Sequence, residues 1–268
     1  YEFIKKLDKN FDSNAELLVK QLVRAQMCIF RKENLTLSLT GEFNFKSLLE
    51  GEMLQFNRML YEMPCVKAVP TFNMEKKNEG FKTASKVQYV ASGGCFEKEG
   101  QEYTGALKVL KTIFSYDYLW VNVRVTGGAY GCMCSFSRNG YGFFTSYRDP
   151  NLSATLNVYK KAAEYVRNFE AGQRDMTKYI IGTISGIDQP LEPAALGDRS
   201  FHAYQSGVTV EMIQKERNQV LDATEETIRS LAGYIETMMD AGTVCAIGND
   251  RKLEEEKELF KQVSSLTQ

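Results

Sequence analysis

The sequence predicts an α+β fold, in which helices pack on one face of a sheet rich in antiparallel strands. Residues 86–91 alternate apolar and polar side chains, which is typical of a half-buried strand. Residues 130–137 and 141–147 read as two more strands, and the Asn-Gly pair between them favours a tight hairpin. Residues 105–123 carry apolar side chains at helical spacing. Because more helices are expected after the hairpin, we predict that they form a layer on the sheet.

The N-terminal part is predicted to contain a helix, a strand and a second helix. Ser13 and Glu16 have the spacing of a capping box, and apolar side chains follow at helical intervals. Residues 34–41 alternate as a half-buried strand. A second helical pattern, over residues 48–60, stops before Pro64.

The C-terminal part repeats this order of elements. Thr224 is the predicted N-cap of a helix, residues 244–247 form a short apolar strand, and residues 252–263 form a charged helix. Gly41 and Gly248 follow the two strands at equivalent places, and this recurrence indicates tandem copies of one domain.

The repeated pattern predicts the domain organisation. Residues 1–63 are predicted to be the C-terminal part of a preceding α+β domain, residues 64–79 a polar linker, and residues 80–268 the last α+β domain. The chain begins with charged residues and without an initiator Met, so we expect a fragment of a longer protein.

Charge and cysteine usage narrow the function classes. The formal net charge of the 268 residues is -1, which gives no support for a nucleic-acid or anionic-membrane partner. No apolar stretch approaches the roughly 18 residues that a membrane-spanning helix needs. The six cysteines form no Cys-x-x-Cys pair, which predicts small buried thiols in a reducing compartment. We therefore expect a cytoplasmic protein, with a mitochondrial or plastid matrix as the alternative.

A single histidine limits the chemistry of this chain. After the hairpin, helices are expected to start near Pro150 and to cover residues 175–185 and 209–221. His202, the single histidine, falls between these last two helices, in a predicted loop after two prolines. Catalytic zinc sites usually take two or three His ligands, or His with Glu, so no metal site is expected here. Ser-His and Cys-His systems would depend on the same residue.

The segment from Arg124 to Gly131 is the strongest candidate site. Gly127 and Gly128 allow a close backbone approach or a positive φ, and they are the predicted substrate-binding positions. Arg124 and Tyr130 offer side-chain donors that can hold a carbonyl oxygen, or the oxyanion that it becomes. The alternative is that the glycines only mark a turn, that Tyr130 is a core aromatic residue and that Arg124 is a surface charge.

Two other groups of residues are weaker candidates. Cys132 and Cys134 share one strand face, where core packing is favoured over a metal or redox role. Tyr141, Phe143 and Tyr147 also share a face, and such a stripe is more often core than site.

Four segments are informative together: residues 122–132 (NVRVTGGAYGC), 77–89 (KNEGFKTASKVQY), 147–152 (YRDPNL) and 176–184 (MTKYIIGTI). They resemble the C-terminal half of the presequence-protease branch of the pitrilysin and insulin-degrading-enzyme family. The resemblance runs from about Asn78 to the end of the chain.

The resemblance implies a fold and a mechanism. The fold is that of mitochondrial-processing-peptidase-like metallohydrolase domains, four of which form two bowls that close around an unstructured peptide. The zinc, held by an inverted His-x-x-Glu-His motif, lies in the N-terminal half of the polypeptide, which is the implied partner of this chain. Arg124 and Tyr130 match the Arg and Tyr that reach the substrate as catalytic residues, so this half is expected to be inactive alone.

Two other functions stay open at this stage. The first is a non-catalytic scaffold or assembly subunit with the same domain fold. The second is a thiol enzyme that uses Cys132 or Cys134 with His202. Retention of both Arg124 and Tyr130 favours the peptidase, because a scaffold has no use for that pair.

Overall fold

A computed structural model of the chain describes residues 2–42, 47, 50–62, 71, 75–98 and 100–266. The chain forms two compact units, Tyr1–Phe72 with Leu191–Gly207, and Asn73–Pro190 with Val208–Gln268. The predicted domain boundaries stay predictions. Residues 48–49 and most of the predicted linker lie outside the described residues.

The first unit is helical in the part that the structure describes. Its helices are Glu2–Lys9, Phe11–Ile29, Glu52–Met59 and Pro193–Gln205, with a 3₁₀ turn at Lys32–Asn34.

Two predictions for the start of the chain are wrong. Ser13 is not a cap, because its hydroxyl donates to the carbonyl of Asn10 from inside a helix that begins at Phe11. Residues 35–40 have no regular structure, and the one β contact described nearby is the bridge between Arg31 and Tyr61. An alternating pattern forms a strand only where a neighbouring strand satisfies its backbone groups. Because residues 35–40 are not a strand, only one of the two segments behind the predicted tandem repeat contains the predicted strand.

The predicted loop around His202 is also wrong. His202 lies exposed in the helix Pro193–Gln205. A proline in the first turn of a helix removes no intrahelical hydrogen bond, because the N–H groups of that turn have no partner within the helix. Pro193 therefore starts this helix and does not break it.

The second unit contains a six-stranded sheet. The strands are β1 (Glu79–Thr83), β2 (Gln88–Cys95), β3 (Gly131–Phe136), β4 (Tyr141–Asp149), β5 (Thr243–Asn249) and β6 (Gln262–Ser265). Their order in the sheet is β3-β4-β2-β5-β1-β6. The pairs β3–β4, β4–β2 and β2–β5 are antiparallel, and β1 is parallel to both β5 and β6. The predicted hairpin and the predicted strands near residues 88 and 244 are confirmed.

Helices of this unit cover one face of the sheet and enclose the core. Leu110, Ile113 and Phe114 are fully buried, and the Phe114 ring lies edge-on to Phe144 of β4, with 5.3 Å between ring centroids. The helical segments are Ala106–Ile113, Phe114–Tyr118, Trp120–Thr126, Ser153–Lys160, Ala162–Arg167, Gln173–Ile187, Val210–Leu221, Glu225–Ser230, Ala232–Ala241 and Asp250–Glu255. The predicted α+β layer arrangement is confirmed.

The end of the chain differs from the prediction. Thr224 is the N-cap that the sequence predicts, and its hydroxyl accepts from the Thr227 amide at 3.1 Å. The predicted helix over residues 252–263 instead ends at Glu255, and the chain returns as β6. Pairing with β6 satisfies backbone groups along the outer side of β1, which burial of one helix face cannot do.

Gly94 lies where strand β2 packs tightly against the C-terminal end of the helix Ala232–Ala241. A Cβ atom at Gly94 would lie 2.6 Å from the Met238 carbonyl oxygen and 2.7 Å from the Gly242 Cα. Strand β2 continues past this residue to Cys95, whereas the sequence predicts its end at the glycine pair.

We expect Gly94→Ala to lower the free energy of unfolding by about 2–3 kcal/mol, because backbone atoms cannot move aside as a flexible side chain can. The measurement is urea denaturation of wild type and variant. Gly186→Ala is the control, since a Cβ there meets no atom within 4 Å and the helix should gain about 0.5–1 kcal/mol. Equal effects of the two substitutions would contradict the packing described here.

Candidate functional site

The second face of the sheet is rich in exposed aromatic residues. Tyr141, Phe143 and Tyr147 of β4 are all exposed, so the prediction that this stripe belongs to the core is wrong. Their neighbours Phe144 and Ser146 point to the opposite face and are buried against the helices. Alternation alone predicts two faces but does not say which of them the helices cover.

Arg124 lies at the end of the long helix that leads to this face. The predicted helix is confirmed and extends to Thr126, with π-helical turns in its second half. Wider turns of this kind occur often at functional sites. The Arg124 Cζ atom is 4.1 Å from the centroid of the Trp120 ring, and the guanidinium is exposed. No ion pair of Arg124 occurs among the described residues.

The glycine pair ends this helix. Gly128 has a φ of +79°, the left-handed conformation that commonly closes a helix. A Cβ at Gly127 would lie 2.5 Å from the Val123 carbonyl oxygen. The amide groups of Gly127 and Gly128 both bond to the Arg124 carbonyl. These two N–H groups are therefore engaged within the chain.

Tyr130 follows the glycine pair after one intervening residue, Ala129, and is 65% exposed. Its ring centroid is 6.0 Å from the Arg124 Cζ atom and 5.8 Å from the Tyr147 ring centroid. The structure therefore brings Arg124 and Tyr130 together, with both side chains accessible.

A β-bulge in β4 adds Arg148, a residue that sequence reasoning did not single out. Tyr147 and Arg148 stand together opposite Tyr89 of β2, where a regular strand would place one residue. The Tyr89 ring lies edge-on to the Tyr147 ring at 5.3 Å. The register pairs on either side are Val90 with Ser146 and Gln88 with Asp149.

The bulge reverses the alternation of β4. Arg148 is exposed next to Tyr147, and Asp149 is fully buried. Arg148 has a φ of +50°, a conformation that costs a non-glycine residue about 1–2 kcal/mol. Its Cζ atom lies 5.9 Å from the Tyr130 ring centroid.

Asp149 anchors the bulge to the helix end. Its carboxylate accepts from the Asn151 amide at 2.9 Å and from the Thr155 hydroxyl at 2.7 Å. The Asn151 side chain in turn donates to the Gly127 carbonyl at 2.6 Å. These contacts tie the helix end that carries Arg124, and the turn that leads to Tyr130, to the core. The sequence signal for Asp149 and Asn151 is the segment 147–152, which is one of the four segments that carry the family resemblance.

The two candidate thiols, Cys132 and Cys134, do not have the character of nucleophiles. Burial raises the pKa of Cys134 to about 12. Burial also raises the pKa of Cys132, although the positive charge of Arg124 opposes the shift. A protonated thiol reacts slowly, which argues against the thiol-enzyme alternative. Cys134 is buried as predicted, Cys245 is exposed against prediction, and Cys65 lies outside the described residues.

Within the described residues, no group of three or more His, Cys, Asp or Glu side chains is arranged to hold a metal ion. Their donor set does not fit a zinc centre.

The comparison with solved structures gives the class of domain. The chain is similar to the peptidase M16 inactive domain from Pseudomonas fluorescens, with a TM-score of 0.55, 15% identity and coverage of 81% of this chain and 52% of that one. At this identity the likeness shows the fold, which is that of an M16 peptidase domain.

Two curated relatives are similar over nearly the whole chain. The chain is 38% identical over 270 residues to Protein HypA of Clostridium perfringens (strain 13 / Type A), covering 99% of this chain and 27% of HypA. It is 30% identical over 250 residues to Presequence protease 1, chloroplastic/mitochondrial, of Arabidopsis thaliana, covering 92% and 23%. It therefore spans about a quarter of the length of these relatives.

The PreP C-terminal domain family matches residues 78–250, and the chain belongs to this family. The match confirms the resemblance inferred from the four sequence segments. Among the described helices, none has the length and the apolar character needed to cross a bilayer.

Proposed function

We propose that this chain is part of the C-terminal, substrate-binding half of a zinc metalloendopeptidase that degrades unstructured peptides in a closed chamber. The observation that carries the proposal is the pair Arg124 and Tyr130, exposed side by side where the long helix meets the aromatic sheet face. The family membership supports the class of enzyme.

The role of the pair follows from its chemistry. When water attacks a peptide carbonyl, negative charge grows on the carbonyl oxygen. The Tyr130 hydroxyl and the Arg124 guanidinium donate hydrogen bonds to that oxygen, and they do so most strongly when it is charged. Gly127 and Gly128, whose amides are already bonded, contribute by letting the peptide backbone pass close to the helix end.

The proposal assigns the metal to the partner half. Zinc bound by the N-terminal half of the same polypeptide supplies the Lewis acid and the activated water. Unstructured peptides are the proposed substrates, and neither a nucleic acid nor a membrane is a proposed partner. The names of the presequence-protease relatives support the mitochondrial or plastid matrix and give no support to the cytoplasmic prediction.

We expect Arg124→Gln in the full-length protein to lower kcat for a quenched unstructured peptide by about 10²–10³, the usual effect of losing one oxyanion donor. Zinc content should stay unchanged, because the substitution lies in the half without the metal. Arg251→Gln is the control, since Arg251 forms only an exposed ion pair with Glu255. An Arg124→Gln variant with wild-type kcat would mean that Arg124 takes no part in the reaction.

A further inference from the structure

We propose that Arg148 is a positioning residue for Tyr130, an inference that rests on the proposed function of Tyr130. Arg148 contacts Tyr130 twice, and neither contact involves the Tyr130 hydroxyl. The backbone carbonyl of Arg148 accepts from the Tyr130 amide at 3.4 Å, and its guanidinium lies 5.9 Å from the Tyr130 ring centroid. The second distance is within the range of a cation–π interaction.

The bulge is what makes both contacts possible. Regular alternation after Tyr147 would turn residue 148 toward the helices and residue 149 toward the open face. The extra residue reverses this order, so the Arg148 side chain stays on the side of Tyr130, and Asp149 is buried. The Asp149 carboxylate, bonded to Asn151 and Thr155, holds the strand in the reversed arrangement.

Arg148 adopts the left-handed backbone conformation, which glycine tolerates better than other residues. It is the only non-glycine residue with a positive φ in the part of the chain that the structure describes. Packing alone would be served better by glycine at this position. A long cationic side chain that is kept in a strained conformation beside an exposed tyrosine therefore indicates a use for that side chain.

The use that fits the contacts is orientation of the phenol ring. Tyr130 is held on the sheet side by the Tyr147 ring at 5.8 Å and by the guanidinium of Arg148. Arg148 has no carboxylate partner in the described residues, so its guanidinium is not fixed elsewhere by an ion pair. Fixing the ring places the hydroxyl ahead of substrate binding, and misplacement of a catalytic group by 1 Å can lower the rate by about 10²-fold.

The test is a double-mutant cycle in the full-length enzyme, with kcat and KM measured on a quenched unstructured peptide. Arg148→Gly should lower kcat about tenfold with KM nearly unchanged, and Arg148→Lys should recover part of the loss because it keeps the charge. In a Tyr130→Phe background, Arg148→Gly should have no further effect, because the hydroxyl that it positions is gone.

The outcomes separate the two proposals. If Tyr130→Phe lowers kcat but Arg148→Gly does not, the positioning role is overturned and the proposed function stands. If the two losses multiply, Arg148 acts independently of the hydroxyl, and the positioning role is also overturned. If Tyr130→Phe leaves kcat unchanged, the proposed function itself fails. Arg148→Asn, which tolerates a positive φ, replaces Arg148→Gly should the glycine variant fold poorly.

Discussion

Replacing Tyr130 with Phe in the full-length protein is expected to lower kcat for an unstructured peptide by about 10²–10³, which corresponds to about 2.7–4 kcal/mol. The substitution removes one hydroxyl and keeps the ring, so the contacts with Arg124, Tyr147 and Arg148 remain. Tyr130 is 65% exposed, so the fold should lose little stability. The loss should therefore appear in the chemical step, and single-turnover kinetics at saturating peptide measures it directly.

The matched control is Tyr141→Phe. Tyr141 belongs to the same sheet face and is 57% exposed, but it lies at the opposite end of β4 from the bulge. Its hydroxyl should be dispensable for the chemical step. A similar loss of kcat in both variants would mean that the face contributes by general peptide binding and that Tyr130 has no special role.

The sequence predicted the layer arrangement because it depends on local patterns. The hairpin, the long helix to Arg124 and the Thr224 cap all follow from spacing and turn chemistry within a few residues. Arg124 and Tyr130 were found in the same way, because the glycine pair between them marks the end of a helix. Their approach to 6.0 Å follows from that helix end.

Errors arose where partners distant in the sequence decide the structure. Residues 35–40 alternate but have no described strand beside them, whereas residues 262–265 pair with β1 although their segment reads as helix. The exposed stripe on β4 was misassigned for a related reason, since the sequence does not say which face of the sheet the helices cover. The periodicity of apolar residues describes a single element, whereas strand pairing depends on two elements.

The bulge at Arg148 was beyond sequence reasoning. One extra residue reverses the alternation only because Asp149 finds Asn151 and Thr155 inside the domain. No local sequence pattern predicts that burial of the Asp149 carboxylate is more favourable than regular pairing of β4. The place of Arg148 beside Tyr130 therefore came from the structure, and Tyr130 itself from the sequence.

Reconstitution from two separate parts tests the central claim, that this chain supplies groups which the rest of the protein needs for catalysis. The full-length protein without the residues of this chain is assayed alone on a quenched unstructured peptide, then mixed with this chain. The added chain is either wild type or Tyr130→Phe, and circular dichroism checks that each is folded.

We expect cleavage to appear only on mixing and to be lower by about two orders of magnitude with the Tyr130→Phe chain. Saturation with increasing amounts of this chain would give the affinity of the two parts. Full activity of the protein without this chain, or equal activity with the wild-type and Tyr130→Phe chains, would contradict the assignment of Arg124 and Tyr130 to the reaction.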